Sequence, residues 1–105
     1  METKILKSLL AVDFYTANKS SLSPKLFEEE LRDIYNCIAE GHKNYAHDLT
    51  IDDVEAIWIK NNPVATRPEK EAFSDLFKVI QKEEPLLEGV AQDLLKELWK
   101  RLVGH

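Results

Sequence analysis

Between Phe27 and Tyr45 the side chains Phe27, Leu31, Ile34, Tyr35, Ile38, His42 and Tyr45 recur mostly at steps of three and four. An α-helix, with about 3.6 residues per turn, gathers such a series onto one side, whereas a strand would scatter it over both faces. The spacing predicts a single helix over residues 24–45. Ser23 is placed to cap it, and Pro24 to occupy its first position, where a missing N–H costs nothing. Glu28, Glu29 and Glu30 then fall in the first turns, where the helix dipole favours negative charge. Gly41 is tolerated near the far end.

The same period recurs along the chain. Residues 2–11 read as a short helix with Ile5, Leu6, Leu9 and Leu10 on one broad side. Residues 13–19 read as a second, packed through Phe14 or Tyr15. Thr50, with Asp53 three residues on, forms a capping-box pattern for a helix over 51–61 whose inner face is Ile51, Val54, Ile57 and Trp58. Thr66-Arg67-Pro68 opens a helix over 67–83 with Phe73, Leu76, Phe77 and Ile80 inside, and a last helix covers 87–103. The breaks are Ser20–Pro24, Ala46–Leu49, Asn61-Asn62-Pro63 and Glu84-Pro85. Glycines number three and prolines four, and no β-branched run alternates in polarity, so nothing competes with helix. The expectation is an all-α fold: a compact bundle of about five to six short helices in a single domain, 1–105. At 105 residues there is room for one core and not for two.

Charge and composition exclude several roles. The net charge is −5, with bases and acids interspersed everywhere except at Lys96, Lys100 and Arg101. This argues against direct nucleic-acid binding, which draws on clustered cations. No apolar run reaches the roughly 18 residues of a membrane span, and the start Met1-Glu2-Thr3-Lys4 is unlike a signal peptide. The lone Cys37 permits no internal disulfide. Together these make the cytoplasm the expected compartment.

Catalytic patterns are absent from the sequence. A phosphate-binding loop needs closely spaced glycines followed by Lys and a hydroxyl, and none of Gly41, Gly89 and Gly104 is followed by Lys. Cys37, His42 and His47 lie five residues apart, a spacing that on a continuous helix sends ligands about 140° from one another and away from a common ion. His42, on the apolar stripe, is expected to be semi-buried and bonded to a backbone carbonyl. Cys37 lies off that stripe with no base near it in sequence. Glu28–Glu30 and Asp52-Asp53 are accounted for by helix dipole and capping. His105, last in the chain, is assigned no role. No catalytic residue, metal or cofactor is expected.

The last helix is the exception to ordinary patterning. Leu87, Val90, Ala91, Leu94, Leu95, Leu98, Trp99, Leu102 and Val103 spread over roughly 220° of a wheel, where a docked helix needs an apolar stripe of about 100–140°. The surplus points toward Trp99 and Val103. Either Trp99 folds over the end of the core, or this edge meets a second copy or a further helix. Leu95, Trp99, Leu102 and Val103 are the candidate interface residues, because buried aromatic anchors dominate such contacts. Ile59 and Val79, off the inner stripes of their helices, are weaker candidates.

The order of these elements resembles the N-terminal domain of DnaB-like replicative helicases, particularly divergent bacteriophage ones. The resemblance sits in Ile5-Leu6-Lys7-Ser8-Leu9-Leu10 followed by Asp13-Phe14-Tyr15, in Leu22-Ser23-Pro24-Lys25-Leu26-Phe27, and in Leu31–Tyr35 running on to His42-Lys43-Asn44-Tyr45. It continues in Asp48–Val54 and in Val90-Ala91-Gln92-Asp93-Leu94-Leu95 with Trp99. These are packing patterns and cover most of the chain. The resemblance implies a non-catalytic domain that mediates subunit assembly and docks primase or a helicase loader, the ATPase lying elsewhere in the polypeptide. This chain departs from the pattern by stopping where the family adds a helical hairpin. The alternative reading is a free-standing phage-encoded adaptor or inhibitor that binds host replication factors.

Overall fold

A computed structural model describes residues 2–103, and over them the chain is all-α. Six helices follow in order: α1 (Glu2–Leu9), α2 (Val12–Asn18), α3 (Glu29–Asn44), α4 (Ile51–Asn61), α5 (Arg67–Lys82) and α6 (Glu88–Val103). Two 3-10 turns, Lys19–Ser21 and Pro24–Leu26, lie between α2 and α3.

The core is built around the shortest apolar helix but one. Ile5, Leu6 and Leu9 of α1 are wholly buried, and Leu10 nearly so. Around them α1 packs against α2, α3, α5 and α6. Each such side chain removed from water stabilises the fold by about 2 kcal/mol. The second packing axis is α3 on α4, the most extensive helix pair, to which α5 adds Phe77 and Ile80. Trp58 of α4 stacks on Phe73 of α5 with ring centroids 4.4 Å apart.

The long helix starts later than its apolar period implies. Ser23 does cap, accepting a bond from the Lys25 N–H at 3.3 Å, but what it caps is the 3-10 turn. Phe27 is then extended, with φ −113° and ψ 155°, and α3 begins at Glu29. Leu26 and Phe27 are both buried, the Phe27 ring stacking on Tyr35 at 5.3 Å.

Gly41 has a packing role beyond being tolerated in a helix. A Cβ there would lie 2.7 Å from Leu49 Cδ1 and 3.1 Å from Ile57 Cδ1, so the missing side chain is what lets the loop before α4 close onto α3. That loop is pinned from a distance. Leu49 N–H donates to the Leu10 carbonyl at 2.9 Å, and the Asp48 carboxylate accepts from Val12 N–H at 2.9 Å. Asp48 thereby does for the start of α2 what Ala11, its own cap residue, cannot. Ser8, buried in α1, donates to the Lys4 carbonyl at 3.0 Å and accepts from Leu86 N–H at 2.9 Å, tying the α5–α6 connection to the hub.

Candidate functional site

The residues with chemical potential are held apart. Among the described residues no group of three or more His, Cys, Asp or Glu converges as a metal set. His42 points toward α1 and α2: its Nε2 lies 2.6 Å from the Leu9 carbonyl, and its ring stacks on Tyr15 at 4.5 Å. A carbonyl only accepts, so Nε2 donates to it, and Nδ1 is buried with no hydrogen-bond partner among the described residues. His47 is exposed beside Tyr45, its Nδ1 2.7 Å from the Asp48 carbonyl. His105 lies outside the described residues.

Cys37 departs from its sequence placement. It lies off the apolar stripe of α3 yet is 3 % exposed, because α4 covers that flank. Burial, and to a lesser degree the nearby Glu40 and Asp33 carboxylates, push its thiol up to about 11. A thiol so protonated is a poor nucleophile.

The carboxylates of the first turns are engaged structurally. Thr50 and Asp53 form the reciprocal capping box: Asp53 N–H donates to Thr50 Oγ1 at 3.2 Å and Thr50 N–H to Asp53 Oδ2 at 3.0 Å. Those bonds from Thr50 hold the Asp53 carboxyl below its ordinary range. A hollow of about 350 Å³ is lined by Lys7, Asp48 and Asp52 among others. Within it Lys7 Nζ donates to the Gln81 carbonyl at 3.2 Å and the Asp48 carboxylate accepts from Val12 N–H.

The apolar edge of α6 is divided by the fold. Leu95 lies in the core at 2 % exposure, with Ala91 and Leu98. Trp99 is half-buried against the core, and its Nε1 donates to the Ser21 carbonyl. Of the four candidate interface residues, Leu102 and Val103 stay in solvent, 40 % and 74 % exposed. Two more, which the sequence did not single out, are exposed at the opposite end: Leu87 at 78 % and Val90 at 46 %. Leu87 precedes α6, and Val90 lies about 80° round the wheel from Leu98 and further from Ala91 and Leu95, so it points off the core face. Ile59 and Val79 are also exposed, each alone on its helix; Ile59 borders a cavity of about 90 Å³ between α4 and α5, well below the size of a small-molecule site.

Comparison with protein families, with curated proteins and with solved structures finds no match to this chain. The site therefore stands on its own geometry: an apolar tip on α6, with Lys96, Lys100 and Arg101 exposed nearby in sequence. No helix among the described residues is long and apolar enough to cross a membrane.

Proposed function

We propose that this domain works by holding other proteins through the ends of α6, and that its setting is a replicative helicase assembly, as a non-catalytic N-terminal domain that joins subunits and docks primase or a helicase loader. The observation that carries the docking part is the pair Leu102 and Val103, exposed at the end of a helix whose middle is buried. Exposed aliphatic side chains grouped at one end and continuous with a half-buried Trp are the composition of an interaction patch. The helicase setting draws on the order of packing motifs in the sequence. The absence of a phosphate-binding loop fits a domain whose motor lies elsewhere in the polypeptide.

The test has two arms. Light scattering across concentration, alone and with a helicase core, primase or loader from the same source, is expected to show association that the double variant Leu102→Asp, Val103→Asp loses. The melting temperature of that variant is expected to stay within a few degrees of the parent, since exposed substitutions cost within about 0.5 kcal/mol. A parent that stays monomeric and binds none of these partners, or a double variant that unfolds, removes the docking reading. The second arm is the reading frame beyond residue 105: a GxxxxGK[ST] motif after a strand supports the helicase setting, and a frame without one removes it.

A further inference from the structure

The seam between α4 and α5 encloses an unpaired hydrogen-bond donor. Trp58 is 3 % exposed, and its indole Nε1 is buried with no hydrogen-bond partner among the described residues. A buried Trp N–H usually finds an acceptor, and one left without is destabilising. The ring stacked on Trp58 does not serve as one. Phe73 lies nearly parallel to the indole, with 25° between the planes. It therefore covers the face of the indole, whereas the N–H points outward in the indole plane.

Trp58 also lines the cavity of about 90 Å³ between the two helices. Glu55 and Ile59 share that wall from α4, and Lys70, Ser74 and Phe77 face them from α5 beside Phe73. Ile59 and Lys70 are exposed, and Glu55 and Ser74 are half-buried. The Ser74 hydroxyl can donate and accept, and the Glu55 carboxylate accepts. An apolar cavity of about 150 Å³ stays dry and takes a guest the size of benzene. This one is smaller, and its wall is not wholly apolar. A water needs roughly 10–15 Å³ of such space and about two to four polar partners. The cavity offers both.

We propose that the α4–α5 cavity is a water site, in which a bound water accepts from Trp58 Nε1 and donates to Ser74 Oγ or to the Glu55 carboxylate. Such a bridge supplies the indole N–H with the acceptor that the chain does not, and it is enthalpically close to a direct hydrogen bond. The two helices are then joined in two ways along one seam. Trp58 stacks on Phe73 on the dry side, and solvent links Trp58 to α5 on the other. The site is independent of how α6 is used.

The experiment records water-selective NOESY and ROESY spectra of the isotopically labelled chain. The Trp58 indole proton is expected to show a cross-peak to a long-lived water, opposite in sign in the two spectra, which separates a bound water from proton exchange. Ser74→Ala removes the hydroxyl whose own proton imitates water, and the cross-peak is expected to persist, weakened, on Trp58 and Glu55. Ser74→Leu fills the cavity. It is expected to abolish the cross-peak and to move the indole proton upfield, the direction of a lost hydrogen bond. A parent without the cross-peak, a cross-peak that Ser74→Ala abolishes, or one that a folded Ser74→Leu leaves unchanged overturns the water site. Where Ser74→Leu loses its amide dispersion and so does not fold, the parent and Ser74→Ala spectra decide between the same outcomes.

Discussion

Helices α1 and α6 are both heavily apolar, and they end up in opposite circumstances. In α1, eight residues long, Ile5, Leu6 and Leu9 are wholly buried because other helices approach from several sides. In α6, sixteen residues long, the middle is buried on α1 and the Pro24–Leu26 turn while Val90, Leu102 and Val103 stay in solvent. Helix length and neighbour number decide this more than apolar content does. A short element at the centre has partners on every side, and a long one at the edge overruns the surface it covers. Apolar side chains at the centre hold the fold together, whereas those that overrun it are available to something else.

The largest effect expected from this contrast is in α1. Leu6→Ala should destabilise the domain by about 3 kcal/mol, from lost burial and the cavity left behind. Val103→Ala should change stability by less than about 0.5 kcal/mol. Denaturant titration of the two variants measures the difference, and similar costs would break the contrast. Interior and edge are sharpened by reactivity as well. With its thiol pushed up to about 11, Cys37 should alkylate at pH 8 more slowly in the native domain than in denaturant, by about a hundredfold from thiolate fraction alone. Rapid labelling of native protein would show that the α3–α4 seam opens readily.

A smaller effect than that of Leu6→Ala is local to α4. Thr50→Ala should cost about 1 kcal/mol by removing the cap. The Asp53 half of the box adds a pH signature. Because the folded carboxyl lies below its ordinary value, its contribution is present above the usual carboxylate range and is lost as pH falls through the folded value. The stability gap between the parent and Asp53→Ala should therefore close in acid, as followed by thermal melts from neutral pH downward. A gap that stays constant would mean that the charge of Asp53 plays no part in the cap.

Much of this was legible in the residues alone. The all-α architecture followed from periods of three and four and from the scarcity of breakers, and the capping box followed from Thr50 and Asp53. The bonded, half-buried state of His42 followed from its place on the α3 stripe. The exposed apolar surface of α6 was legible only in part. The over-wide stripe of α6 announced an excess of apolar residues, but Leu95, one of the four marked for the surface, lies in the core, and Leu87 and Val90 were not marked at all. A hollow of about 250 Å³ lined by Asn18, Ser21, Gln92, Leu95 and Lys96 left no trace in the sequence, because its walls come from α2, a 3-10 turn and α6, which are far apart along the chain.

Periodicity and capping are interactions within about four residues, so the chain carries them wherever it goes, and they determined which segments are helices and which side of each is apolar. The tertiary structure decided what depends on a second element arriving: the delay of α3 until Glu29, the cover that α4 lays over Cys37, the capping of α2 by Asp48, and the C-terminal end of α6 left bare. A sequence records what each side chain prefers. Which neighbour meets that preference depends on how the helices pack together.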